Sequence, residues 1–192
     1  MSIVSFIVIA LALGIGNMLL FRRCGEATPV RLTSGLLIVL TTALIHTASL
    51  FLGNILGHML RLFSPSNPDM YADINAYIFL GITVVVIIKL IAPYLRKQPV
   101  LPVFDLRNGI SVLAMAAATG INILLIGIGT GFAAPETNPH YLVWPLLVTA
   151  TLLGYFGLMF GRQKTVLRPR RWTIISCVLL LGVAIATLLN VH

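Results

Sequence analysis

Six long apolar stretches constrain the fold of this sequence more than any other feature. A helix needs about 20 predominantly apolar residues to cross a bilayer, and each stretch is long enough. The stretches are continuously apolar, whereas the strands of membrane barrels alternate in runs of about ten residues, so we predict helices. The predicted spans are residues 2–21, 32–62, 74–94, 108–132, 141–161 and 172–191.

The composition agrees with a membrane protein. Of the 192 residues, 58% are hydrophobic and 9% are charged, and the mean hydropathy is +1.01. Soluble domains carry about a quarter charged residues. We therefore predict an all-α, polytopic membrane protein with one transmembrane domain over residues 1–192. Because Arg22 and Arg23 follow the first apolar stretch, we expect a spanning helix there and not a cleaved signal peptide.

Basic residues lie almost entirely on one side of the predicted helices. The chain has 13 Lys and Arg against 5 Asp and Glu, a formal net charge of +8. Arg61 alone lies in the opposite loops, near Asp69 and Asp73. The positive-inside rule puts the basic loops in the cytoplasm and both termini on the non-cytoplasmic face. Topology therefore explains the charge, and no nucleic-acid partner is expected. The basic residues on the cytoplasmic side are Arg22, Arg23, Arg31, Lys89, Arg96, Lys97, Arg107, Arg162, Lys164, Arg168, Arg170 and Arg171.

Short motifs recur in the two halves of the chain. Gly-Ile-Gly-Asn at 14–17 is similar to Gly-Ile-Asn at 120–122, and glycines enclose both 53–57 and 157–161. Three helices per half is an odd number, so consecutive units would cross the membrane in opposite directions. We therefore predict two inverted three-helix repeats, with chance recurrence of Gly and Asn as the alternative. The predicted units are residues 1–97 and 98–192.

The polar residues inside the predicted spans indicate a candidate site. No Asp or Glu lies within a span. Asn17 and Asn122 hold matched positions close to glycines, and His46 is the only ionisable group well inside the second span, with Ser49 on its helix face. The alternatives are amides that bond neighbouring helices, and a histidine bonded to Thr42 or to backbone. The predicted substrate-binding residues are Asn17, His46, Ser49, Thr119 and Asn122, of which Asn17, His46 and Asn122 are the candidate metal ligands.

Three glycine pairs with a spacing of four predict close helix packing. Glycine removes side-chain bulk, so helix backbones can approach each other in the membrane. Whether these contacts lie within one chain or between chains is left open by the sequence. The pairs are Gly53 and Gly57, Gly127 and Gly131, and Gly157 and Gly161.

No pattern in the sequence indicates an enzyme. Cys24 and Cys177 are too far apart for a CxxC motif, and no nucleophile–base set, phosphate-binding loop or HExxH spacing is present. The loops are too short to hold a soluble catalytic domain. We therefore predict a non-enzymatic chain without a cofactor.

The order of these features resembles that of MntP-type manganese exporters, small six-helix transporters of the LysE-like group. In that family the first and fourth helices each lead to an Asp and the second carries a Glu; these places match Asn17, Asn122 and His46. The segment 157–162 resembles the family's fifth-helix Gly-x-x-x-Gly-Arg, and 79–81 resembles its third-helix pattern. The resemblance covers most of the chain and implies cation efflux across a bacterial inner (plasma) membrane.

Every carboxylate that the resemblance implies is replaced here. A divalent cation would lose its hydration without gaining compensating charge, which is costly. We therefore expect a transporter whose substrate is a softer metal, a neutral solute or a weakly hydrated ion. A transport-inactive relative that serves as a structural subunit of a larger membrane complex is the alternative. The expected partners are the lipid bilayer and either a small substrate or other membrane subunits.

Overall fold

The computed structural model describes residues 1–62, 68–95, 103–134, 138, 140–164 and 168–189, with side chains from residue 74 onward in the third helix. Within these residues the chain forms six α-helices and no strand, and each helix is long and apolar enough to cross a membrane. The predicted all-α class with six spans is confirmed. The helices are α1 (Ile3–Ala27), α2 (Leu32–Leu62), α3 (Pro68–Leu95), α4 (Gly109–Ala133), α5 (His140–Arg162) and α6 (Pro169–Leu189). Arg96 and Lys97 of the charge-based topology lie outside the described residues.

Two helices, α1 and α3, extend furthest beyond their predicted spans, by six residues at one end of each. The helix α1 continues through Arg22 and Arg23 to Ala27 and ends where the Thr28 backbone N–H donates to the Cys24 carbonyl at 2.8 Å. The helix α3 begins at Pro68, a residue well suited to the first helical position. Hydropathy detects the segment that crosses the bilayer, so it does not detect helical turns that project beyond it.

The helices α1 and α5 pack as a parallel pair. A Cβ added to Gly157 would overlap the Met18 carbonyl oxygen, and one added to Gly161 would overlap the Arg22 carbonyl oxygen. Because the contacts advance in the same order along both helices, the two helices run in the same direction. Each glycine thus admits a backbone carbonyl where any side chain would exclude it.

The helices α2 and α4 form a second parallel pair with the same kind of contact. A Cβ on Gly53 would overlap the Leu124 carbonyl oxygen, and one on Gly57 would overlap the Ile128 carbonyl oxygen. Glycines of α4 meet α2 in return: Gly127 lies against the Leu50 carbonyl and Gly131 against the Asn54 carbonyl. All six glycines predicted for packing therefore lie at contacts within one chain.

The remaining helices complete the bundle around these two pairs. Among the described residues, α3 packs on α4 and α6, α6 also packs on α1, and α2 also packs on α5. Buried apolar side chains such as Ile9, Phe79, Ile126 and Leu146 fill one cluster between the helices. Many large apolar side chains point outward, as lipid contact requires. The chain is an integral membrane protein.

Candidate functional site

A cavity of about 80 Å³ lies inside the bundle between α1, α2, α3, α4 and α6. At a share of about 30 Å³ per molecule, it has room for two or three waters or one small solute. Its polar lining comes from residues near the middle of four helices, and these include four of the five predicted site residues. The polar lining residues are Asn17, His46, Thr119, Asn122 and Ser176.

Asn17 is buried, and its amide is oriented by a neighbouring helix. Its Nδ2 donates to the Ala150 carbonyl oxygen of α5 at 3.1 Å. A carbonyl only accepts, so this bond fixes which end of the amide faces Ala150. Asn17 Oδ1 is buried and has no hydrogen-bond partner in the part of the chain that the structure describes. Asn17 therefore presents an unused acceptor.

His46 is held by a hydrogen bond across the α2–α4 contact. Its Nε2 lies 2.7 Å from Thr119 Oγ1, and that hydroxyl donates to the Met115 carbonyl at 2.8 Å. While this hydroxyl donates its one proton to Met115, it accepts from His46, and that pairing corresponds to the neutral tautomer with the proton on Nε2. His46 Nδ1 is then a lone-pair acceptor, and it has no partner among the described residues.

Asn122 contributes a third acceptor to the cavity. Its Oδ1 is buried and lacks a partner within the described ranges. Asn17, His46 and Asn122 thus line one cavity from three different helices, and each carries one buried polar atom without a partner among the described residues. Most buried polar atoms in proteins are hydrogen-bonded, so three unpartnered acceptors around one cavity require an explanation.

Ser49 lies away from this cavity. Its hydroxyl donates to the Ile45 carbonyl at 2.8 Å, and its Oγ stands 3.0 Å from the position of a Cβ on Gly120. Ser49 therefore fills the α2–α4 contact and does not line the predicted site. Three residues turn a helix by 300°, so Ser49 lies about 60° around the helix from His46 and faces the glycine of α4.

Ser176 of α6 lines the cavity and was missed by the sequence analysis. Its hydroxyl donates to the Ala12 carbonyl of α1 at 2.8 Å. Thr173 lies one turn earlier on the same helix, at the end of a second cavity. Two hydroxyl residues three positions apart in an apolar helix could have indicated a polar site on α6. The pattern is weak, because hydroxyls in helices commonly bond the backbone of their own helix.

A second cavity of about 180 Å³ adjoins the first and extends toward the basic side of the bundle. The two cavities share five lining residues, which are Gly16, Leu20, Leu90, Thr119 and Ser176. The second is also lined by Arg23 and Lys89, and among the described residues its lining contains no Asp or Glu. The surroundings of the site are therefore electropositive.

A hydrogen-bonded group at the far end of the second cavity links three helices. Arg23 of α1 donates through Nη2 to the Tyr94 hydroxyl of α3 at 2.6 Å, and its guanidinium lies 5.8 Å from the centre of the Tyr94 ring. Thr173 Oγ1 of α6 lies 3.2 Å from the same hydroxyl. This group holds α1, α3 and α6 together on the basic side.

The described residues of the site include few side chains that bind metal ions. Within the described residues, no group of three or more His, Cys, Asp or Glu side chains is close enough to hold one. Of the three candidate metal ligands, His46 alone has a donor that transition metals favour. The described donor set is thus two amide oxygens and one imidazole nitrogen.

Comparisons with known proteins identify no relative of this chain. It matches no family model, no curated protein and no solved structure.

Proposed function

We propose that this chain is a membrane transporter for a small uncharged solute that carries N–H or O–H groups. The observation that carries the proposal is that three residues lining one interior cavity each hold a buried polar atom without a partner in the described part of the chain: Asn17 Oδ1, His46 Nδ1 and Asn122 Oδ1. A buried polar atom without a partner costs about 1–3 kcal/mol. A solute with matching donors removes that cost, so the acceptors favour its binding.

The charge around the cavity argues against a divalent cation as substrate. No carboxylate is present in the described linings, while Arg23 and Lys89 stand next to the site. A doubly charged ion would lose its hydration in an electropositive environment. We therefore retain the relationship to MntP-type exporters as a prediction about architecture, and we do not propose manganese transport. A softer metal bound through His46 is the second candidate.

We also propose that the two halves are inverted repeats, as many secondary transporters use for alternating access. Exchanging α1 with α4, α2 with α5 and α3 with α6 maps the observed helix contacts onto one another. The glycine contacts follow the same exchange. The contact of Met18 with Gly157 corresponds to the contact of Leu124 with Gly53. In the same way, the contact of Gly14 with Leu153 corresponds to that of Gly120 with Ser49.

This proposed correspondence matches the two asparagines differently from the sequence motifs. The contacts pair Gly14 with Gly120 and Met18 with Leu124, so Asn122 corresponds to Gly16 and not to Asn17. The two matchings differ because Asn17 lies three residues after Gly14, whereas Asn122 lies two residues after Gly120. Asn122 is thus equivalent to the residue before Asn17, and yet both asparagines line the same cavity. The site itself is therefore asymmetric.

The direct test is solute flux through the purified, reconstituted chain. Proteoliposomes receive outward or inward gradients of urea, formamide or glycerol, and stopped-flow light scattering reports swelling. Parallel vesicles with trapped metal-sensitive dyes report entry of Mn²⁺ and Zn²⁺. We expect at least one neutral solute to enter faster than into empty vesicles, with no Mn²⁺ entry. Mn²⁺ entry without neutral-solute entry would contradict the proposal, and Zn²⁺ entry alone would favour the second candidate.

Cysteine labelling tests the proposed sidedness. Cys24 and Cys177 are buried, so background labelling in the native chain is expected to be low. In intact cells, a membrane-impermeant maleimide should label Ser2→Cys at the exposed start of the chain and should not label Lys164→Cys. After the membrane is opened, both variants should react. Labelling of Lys164→Cys in intact cells would place the basic loops outside.

Restoring carboxylates tests the relationship to cation exporters. We expect the double variant Asn17→Asp, Asn122→Asp to bind Mn²⁺ in detergent, because two negative charges would then face the cavity together with His46. The native chain should show no saturable Mn²⁺ binding by calorimetry. Binding by the native chain would contradict the exclusion of a divalent cation, and its absence from a folded double variant would count against the family relationship.

A structural subunit remains the alternative function. The helix α3 favours it, because Tyr77, Val84, Val85 and Ile88 all expose large apolar surface on that helix. Purification in mild detergent decides between the two. A fixed stoichiometric partner together with an inert reconstituted chain would support the subunit role, whereas flux through the chain alone supports transport.

A further inference from the structure

A wedge-shaped groove of about 720 Å³ opens between the first half of α2 and the start of α4. It exists because α2 changes neighbour along its length. Gly35 and Val39 pack against Leu158 and Gly154 of α5, whereas the later Gly53 packs against α4. The two helices therefore diverge toward the basic side. The volume falls within the range of about 300–1,000 Å³ typical of ligand pockets.

The groove is basic at its mouth and mainly apolar along its walls, which also include Ser34 and Thr41. Arg31 and Arg107 line the mouth, and both are exposed. Arg107 Nη2 donates to the Pro29 carbonyl at 3.3 Å, which joins the loop before α2 to the segment before α4. Asp105 is near in sequence but does not line the groove, and its carboxylate accepts from the Arg107 backbone N–H at 2.9 Å.

The walls are formed by side chains that face the lipid. Leu37 of α2 is 65% exposed and Leu113 of α4 is 56% exposed, and Ile38 and Val112 lie deeper between them. An apolar wall between two spanning helices is continuous with the bilayer interior. A soluble anion would gain nothing from the apolar side chains of this wall, whereas an acyl chain would pack against them.

We propose that this groove is a binding site for an anionic phospholipid. The headgroup phosphate lies between Arg31 and Arg107, where a guanidinium can bind phosphate oxygens in a bidentate fashion. One acyl chain runs along Leu37 and Leu113. The two positive charges select anionic over zwitterionic lipids, as basic residues at the cytoplasmic surface do. The proposal depends on the membrane-spanning fold and not on the transport function.

The test measures lipid binding by the full-length chain purified in detergent. Native mass spectrometry and thermal unfolding are recorded with phosphatidylglycerol, with phosphatidylcholine and with inorganic phosphate. We expect phosphatidylglycerol to remain bound and to raise the unfolding temperature, with little effect of the other two. Stabilisation by inorganic phosphate equal to that by phosphatidylglycerol would overturn the lipid assignment.

A charge-matched pair of variants separates the groove from net charge. The double variant Arg31→Gln, Arg107→Gln should bind phosphatidylglycerol roughly tenfold or more weakly. Arg170→Gln, Arg171→Gln removes the same charge from exposed positions at the start of α6 and should keep native binding. Circular dichroism and size-exclusion profiles confirm that each variant is folded. Equal losses in both double variants, or equal binding of both lipids by the native chain, would overturn the proposal.

Discussion

Changing Gly57 to valine is expected to prevent the chain from forming a stable, monodisperse protein in detergent. A Cβ at this position would overlap the Ile128 carbonyl oxygen and would lie 3.1 Å from the Gly131 Cα. These are backbone atoms, so no side chain can rotate away, and α2 and α4 must separate along their whole contact. Overpacking costs about 1–3 kcal/mol in ordinary cores, and backbone contact puts this case at or above the upper end.

A matched glycine on α3 controls for the substitution itself. Nothing lies within 4 Å of a Cβ added to Gly81, so Gly81→Val changes the same residue type in a helix without a steric conflict. Both variants are compared by fluorescence-detected size exclusion and by thermal unfolding. We expect a native profile for Gly81→Val and an aggregated one for Gly57→Val. Equal stability of the two variants would contradict the observed α2–α4 contact.

Changing Asn122 to leucine is expected to remove solute flux without lowering stability. Asn122 Oδ1 has no partner within the described residues, so the leucine side chain breaks no hydrogen bond to that atom and removes a buried unsatisfied group. The same change deprives a bound solute of one acceptor. Since an unmade hydrogen bond costs about 1–3 kcal/mol, flux should fall roughly tenfold or more. The measurements are thermal unfolding and proteoliposome flux on the same preparation.

Asn54 supplies the control for this experiment. Its Nδ2 donates to Thr130 Oγ1 of α4 at 3.3 Å, and Asn54 does not line the cavity. Asn54→Leu should therefore lower the unfolding temperature and leave flux through the folded fraction close to native. The two asparagines are thus expected to show opposite effects on stability and flux. A stability loss for Asn122→Leu that matches the loss of flux would indicate a packing role.

The sequence was sufficient to predict where helices cross the membrane but not where they end. The predicted limits of α2 coincide with the observed Leu32–Leu62, because that helix is predominantly apolar over its whole length. The end of α1 at Ala27 escaped prediction, since Arg22 and Arg23 are good helix formers that continue the helix beyond the apolar segment.

The candidate site was predicted in part, for reasons that concern helix rotation. Asn17, His46 and Asn122 were singled out because polar groups in apolar helices are costly, and they do line one cavity. Ser49 was included for its spacing from His46, but it faces Gly120, because only the packing of α2 against α4 determines which side chains reach the interior. Ser176 was missed because which side of α6 meets α1 depends on the same tertiary packing.

The central claim is that amides from the two halves of the chain meet in one interior cavity, and thiol cross-linking tests it most directly. Asn17→Cys is combined with Asn122→Cys in a chain with a protease site between the halves, then treated with a short bifunctional thiol reagent. Ile121→Cys replaces Asn122→Cys in the control, because Ile121 is 53% exposed and does not line the cavity. We predict that cleavage leaves the first pair joined at full-length mass and separates the second. Joining of the control pair with separation of the first would contradict the account.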